Sequence, residues 1–123
     1  MASDTHNGII EKQTNQLVFD LKRGFLQFVT LYLISQQPRY AYEIKDEILK
    51  ITSGTFDIDR NNLYKKLRLL EKEGFLKSQL EPSQQGADRK YYSITPFGKK
   101  LFIEMYQLLI PVMGSLHKRI KQP

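Results

Sequence analysis

The stretch Asp59-Arg60-Asn61-Asn62-Leu63-Tyr64-Lys65-Lys66-Leu67-Arg68-Leu69-Leu70-Glu71-Lys72-Glu73-Gly74 reads as one amphipathic helix with two opposed faces. At about 100° per residue, Leu63, Leu67 and Leu70 cluster within a narrow arc, and Asn61, Lys65, Arg68 and Lys72 fall roughly opposite. Such a helix packs on a core through its leucines and presents donors on the other side. Asp59 is of the residue type that caps a helix N-terminus, and Gly74 is a C-terminal stop. On the charge pattern alone the polar face suits either a nucleic-acid groove or plain solvent.

Upstream, Thr52-Ser53-Gly54-Thr55 is a turn. It follows a helix over residues 40 to 51, whose Ala41, Ile44, Ile48 and Ile51 keep the 3.6 period, with Asp46 and Lys50 as an i,i+4 pair outside. Gln37-Pro38-Arg39 closes an earlier helix, because proline disfavours helical geometry at the residue before it. That helix spans about residues 17 to 36, and Phe25, Leu26, Phe28, Val29, Leu31, Tyr32, Leu33 and Ile34 cover nearly every side of it. A helix apolar all round is buried on several faces. In so small a chain the simplest cover is a second subunit. Residues 1–16 carry little apolar content and read as a flexible or partly helical arm.

Downstream, residues 75–81 and 89–94 read as two strands joined by the polar loop Pro82-Ser-Gln-Gln-Gly-Ala-Asp88, a β-hairpin. Tyr91 and Tyr92 are adjacent on a strand and face opposite ways, so one of them belongs to the core. Thr95-Pro96 opens the last helix, threonine as cap and proline at the first helical position. Leu101, Met105, Leu108, Val112 and Leu116 make one apolar stripe, and Phe102, Tyr106, Leu109 and Met113 a neighbouring one. A stripe that wide on a terminal helix needs a partner surface. Pro111 is expected to kink this helix and Gly114 to weaken it.

The fold class expected is therefore mainly α with a small β-hairpin. A winged helix-turn-helix domain occupies 17–95, and a C-terminal dimerisation helix with a basic tail occupies 96–123. In such a module the third helix enters the major groove of double-stranded DNA. Arg68 suits bidentate pairing with guanine, Asn61 or Asn62 pairing with adenine, and the lysines suit phosphates. Arg89 and Lys90 lie where the wing loop re-enters its second strand, beside Gln84 and Gln85, placed for the backbone or the minor groove.

Composition agrees. A formal charge of +6, from 19 basic and 13 acidic residues, suits a polyanionic partner. The chain has no cysteine, which excludes a disulfide frame and thiolate metal sites. The first residues lack the apolar segment of a signal peptide. The longest uncharged apolar run, residues 24–37, falls short of the roughly 20 residues that span a bilayer. A soluble, cytoplasmic protein with no membrane association is expected. His6 and His117 stand at opposite ends with no glycine-rich phosphate loop between them, so an enzyme is not expected. Asp57 and Asp59 fit loop and cap roles better than metal ligation, and neither metal nor cofactor is expected.

Three blocks carry a resemblance to a known family: Tyr40-Ala-Tyr-Glu-Ile44, Asn62-Leu-Tyr-Lys-Lys-Leu-Arg-Leu-Leu-Glu-Lys-Glu-Gly-Phe-Leu76, and Asp88-Arg-Lys-Tyr-Tyr-Ser-Ile-Thr-Pro-Phe-Gly98. Together they resemble the PadR-like winged-helix transcriptional regulators over residues 23 to 101. The resemblance implies a homodimer that binds operator DNA, with the C-terminal helix crossing to the partner. It implies DNA-facing roles for Tyr40, Asn62, Tyr64, Arg89 and Lys90, beside Asn61, Lys65, Arg68 and Lys72. It also implies a dimer interface of Phe25, Phe28, Tyr32, Leu101, Met105, Leu108, Val112 and Leu116. The single C-terminal helix is similar to the family's short form, and in scale to its cyanobacterial circadian period-extender type, which would imply clock-gene control.

Departures are specific. Lys65 stands where the family commonly has proline, and Ala41 where it usually has glycine. Members that hold flat drugs between paired tryptophans are a poor guide, because the chain has no tryptophan. A repressor at a pseudo-palindromic operator is the reading these features favour. A winged protein-interaction module that does not read DNA, and a regulator answering to an aromatic or drug-like effector near Phe28 and Tyr32, stay open beside it.

Overall fold

The computed structural model describes residues 2–84 and 86–122, with side chains from residue 5 onward. Its elements are α1 (Ala2–Gln36), α2 (Ala41–Ile51), α3 (Arg60–Lys72), β1 (Leu76–Glu81), β2 (Arg89–Ile94) and α4 (Pro96–Lys121). The mainly α class with one antiparallel hairpin is as expected, and β1 pairs β2 from Leu76↔Ile94 to Glu81↔Arg89. Gln85, expected beside Gln84 at the wing tip, lies outside the described residues.

The core is built where the periodicity placed it. Leu26, Val29, Leu31, Leu33 and Ile34 of α1 meet Ala41, Ile44 and Ile48 of α2, and Leu63, Leu67 and Leu70 of α3. Phe56 and Ile58 of the α2–α3 connection, Leu76 and Tyr92 close the cluster. Ile51 is a correction: it ends α2 and stands 48% exposed, because the chain turns away from the core one turn after Ile48. Tyr92 is the inward member of the tyrosine pair, at 3% exposure.

The first helix differs most from expectation. It starts at Ala2 rather than near residue 17, so the segment read as an arm continues the helix. Extending a helix that is already nucleated fixes one residue per new hydrogen bond, and the segment holds no proline to stop it. Gln16 Nε2 donates to Asp20 Oδ1 at 3.0 Å along its surface.

Helix ends follow their local chemistry. Asp59 caps α3 by accepting from the Asn62 N–H at 3.2 Å. At the other end Gly74 N–H bonds Glu71 O at 3.0 Å and Phe75 N–H bonds Leu70 O at 2.9 Å, with Gly74 at φ +88°. This is a Schellman stop, and its left-handed residue favours glycine. Thr95 Oγ accepts from the Gly98 N–H at 3.0 Å and donates to Gly74 O at 2.7 Å, so it caps α4 and ties it to the end of α3. Gly98 is buried, and a Cβ there would sit 2.1 Å from Phe75 O. The helix α4 runs through Pro111 to Lys121 without ending.

One connection has no counterpart in the sequence pattern. Arg39 N–H donates to Tyr92 O at 3.0 Å, and Tyr92 N–H to Arg39 O at 2.8 Å. The segment between α1 and α2 thereby joins β2 as a one-residue third strand. The Arg39 side chain is buried, with Nε donating to Leu33 O at 2.9 Å and Nη2 to Gln36 Oε1 at 3.1 Å. It therefore satisfies a carbonyl that the end of α1 leaves free.

Candidate nucleic-acid interface

Burial of Leu63, Leu67 and Leu70 at 0–1% exposure fixes the roll of α3. Asn61, Asn62, Tyr64, Lys65, Arg68 and Lys72 are all exposed as a result. Among the described residues, no hydrogen bond or ion pair engages the side chains of Asn61, Lys65, Arg68 or Lys72. Three cations and an amide thus share one outward face. Lys66 points elsewhere: its ammonium donates to Gln27 Oε1 on α1 at 3.4 Å. In the connection before α3, Lys45 Nζ donates to Ile58 O at 3.0 Å and pairs with Asp57 at 3.5 Å, which gives Asp57 its loop role.

The two basic wing residues separate. Successive strand residues face opposite sides. Lys90 turns toward α3, where its ammonium lies 3.3 Å from Glu71 Oε1 and 5.4 Å from the Tyr92 ring centroid. Ser78 Oγ donates to the other Glu71 oxygen. That hydrogen bond and the nearby Lys90 hold the Glu71 carboxyl below the ordinary carboxylate range, despite partial burial. Arg89 turns outward, its guanidinium carbon 4.6 Å from the Tyr40 ring centroid. Tyr40 itself packs edge-on against Tyr91 at 5.3 Å and beside Tyr42 at 6.5 Å. An open polar hollow of about 620 Å³ lies on this outer face of the wing, bordered by Gln79, Glu81, Gln84 and Arg89.

The residues expected at a dimer interface also divide. Phe25 packs tilted against Phe56 at 4.6 Å and Phe28 stacks on Phe102 at 5.4 Å, while Leu101 and Met105 are half-buried against the core. These serve the chain's own packing in part. Tyr32 is 39% exposed, and Leu108, Val112 and Leu116 are 71%, 60% and 49% exposed. Between α1 and α4 runs an apolar cleft of about 550 Å³ lined by Phe28, Tyr32, Phe102, Tyr106 and Ile110. On the N-terminal half of α1, Ile10, Leu17 and Leu21 are at least half exposed. Ile10, Leu17 and Leu21 fall on the four-and-three spacing of a helix-pairing seam, with Thr14 at the remaining position, a partial signal that the sequence carried.

Among the described residues, no helix is long and apolar enough to cross a membrane, and no group of three or more histidine, cysteine or acidic residues could hold a metal ion.

Residues 30–104 match the model of the transcriptional regulator PadR-like family. The chain belongs to that family. A curated relative, an uncharacterised protein of Lysinibacillus sphaericus, is 37% identical over 86 residues, covering 70% of this chain and 79% of its own. A PadR-like transcriptional regulator of Bacillus cereus superposes with a TM-score of 0.73 at 28% identity, over 85% of this chain and 99% of that one. Bacillus subtilis PadR, solved in complex with operator DNA, gives a TM-score of 0.59 at 20% identity, over 64% of this chain and 45% of that one. Membership in a family of transcriptional regulators agrees with the expectation that the chain is not an enzyme. Nothing in these comparisons supports the circadian link.

Proposed function

We propose that this PadR-like regulator binds operator DNA as a homodimer through α3 and represses by occupying promoter DNA in the cytoplasm. The observation that carries the reading is the unengaged face of Asn61, Lys65, Arg68 and Lys72 on a helix whose opposite side is locked into the core. A fold shared with a protein solved on operator DNA supports it. The exposed stripe Leu108, Val112 and Leu116, together with Ile10, Leu17 and Leu21, supports a second copy as the cover. Two recognition helices related by a twofold axis read a pseudo-palindromic site in successive major grooves.

The test is a mobility-shift titration on a fragment selected from the organism's own genome. Arg68→Ala costs about 1–3 kcal/mol on the best site and relaxes base preference, whereas Lys65→Ala weakens binding to all sequences alike. Wild-type affinity in both variants sinks this assignment. A second reading, regulation by an aromatic effector, is favoured by the cleft between α1 and α4. It requires a compound that fills the cleft and releases DNA. A second subunit filling the same space leaves no room for one.

A further inference from the structure

We infer that Arg89 is the wing's DNA-contacting cation and that Tyr40 acts as its positioning residue, a seat for the guanidinium rather than a contact of its own. The inference rests on the operator-binding reading and deepens it.

Arg89 and Lys90 are adjacent on β2, yet their environments differ completely. The Lys90 charge is already met by Glu71 of α3 at 3.3 Å. Recruiting it to a phosphate would break that pair and release Ser78's acceptor from its place. Arg89 has no carboxylate partner among the described residues. Of the two cations beside the wing loop, Arg89 and Lys90, it is the one left available; Lys77, also exposed, sits four residues away from the loop along β1. Left to itself, an exposed arginine samples many rotamers, and each contact it makes must overcome that freedom.

Tyr40 removes part of it. The guanidinium lies over the ring at 4.6 Å, within the range of cation–π attraction. The ring is itself immobilised. Tyr40 occupies the N-cap position of α2, and its N–H donates to Glu43 Oε1 at 3.4 Å. Its neighbour Arg39 exchanges two backbone hydrogen bonds with Tyr92, and Tyr91 packs against the ring from the same strand. Seat and cation therefore ride on one hydrogen-bonded ladder. Tyr91 borders the outer hollow together with Arg89, so the seat opens on the wing's solvent side.

The test is a double-mutant cycle on operator binding, with salt dependence, in the full chain. Arg89→Ala should weaken binding about tenfold and lower the slope of log affinity against log salt by about one. Tyr40→Leu should weaken binding about two- to fivefold, the size of an exposed cation–π contact, and Tyr40→Phe should match wild type because the ring is kept. In the Arg89→Ala background, Tyr40→Leu should add nothing. Lys90→Ala should leave the salt slope unchanged. Additive losses, or a Tyr40→Phe protein as weak as Tyr40→Leu, overturn the inference, since the tyrosine then acts independently of Arg89. If Tyr40→Leu does not fold, Arg89→Lys puts the same question: it keeps the charge but not the planar stacking. It should lose affinity at an unchanged salt slope, and wild-type affinity there overturns the inference. Arg68→Ala run in parallel separates the two claims. Loss with Arg68→Ala but not Arg89→Ala overturns the wing assignment alone, and loss with neither overturns the α3 assignment as well.

Discussion

Gly98→Ala is the substitution whose cost follows most directly from the geometry. A methyl group at this position would lie 2.1 Å from Phe75 O and 2.8 Å from Ile94 Cγ1, against ordinary contacts of 3.4–4 Å. The nearer atom is backbone and cannot rotate aside, so the first turn of α4 must shift by more than 1 Å. Overpacking of this kind costs about 1–3 kcal/mol. The same shift pulls on the Thr95 cap, worth about 1 kcal/mol, and on the Phe75–Phe97 stack at 4.7 Å. Alanine returns about 1 kcal/mol through its better helix propensity. The net expectation is a loss of about 2 kcal/mol, or a fall in Tm of roughly 5–10 °C for a chain of this size. Gly114 of the same helix is the control. Nothing lies within 4 Å of its would-be Cβ. Its helical position puts it on the side away from Leu108 and Val112. Gly114→Ala should therefore raise stability by up to about 1 kcal/mol. Urea and thermal unfolding followed by circular dichroism, at one fixed protein concentration, read both signs. A Gly98→Ala protein as stable as wild type would refute the close approach of α4 to Phe75.

Two further expectations concern the dimer and the link between α3 and the wing. Leu108→Glu places a charge at a position 71% exposed in the single chain and should give monomers by light scattering. A dimer that persists at the same concentration removes this stripe from the interface. Glu71 is held below the ordinary carboxylate pKa of 4.5, so folding favours its ionised form. Its stabilising contribution is complete above 4.5 and is lost as pH falls through the folded value. The urea-midpoint gap between wild type and Glu71→Gln should hold steady near neutrality and close in acid. A gap that does not change with pH would show that the charge on Glu71 contributes nothing.

What was legible in the sequence was local chemistry. Asp59, Gly74 and Thr95-Pro96 announce helix ends because capping acts over three or four residues. The leucine arc of α3 announced its own burial, and with it the whole outward face, because one helix has only one roll angle. The alternation of β2 showed that Tyr91 and Tyr92 differ, although not which one is inside. Non-local chemistry was not legible. A one-residue strand such as Arg39 has no period to detect, and its buried guanidinium looks in the sequence like any other surface charge. The Glu71–Ser78–Lys90 contact joins three elements and divides two neighbouring basic residues that the sequence treats alike. Ile51 kept the period of α2 after the core had ended, and no periodicity records where a core ends.

Helix α1 is 35 residues long, a rod of about 52 Å at 1.5 Å per residue. Arg39, three residues beyond its far end, is stitched to the wing strand by two backbone hydrogen bonds and to the rod itself by Leu33 O. The rod therefore connects its exposed N-terminal half to the wing strand through one continuous helix and a short bonded segment. A tilt of roughly 5° displaces one tip by about 4–5 Å relative to the other, close to the spacing of neighbouring strands. Ile10 and Leu17 stand exposed about 39 and 28 Å along the rod from its wing end.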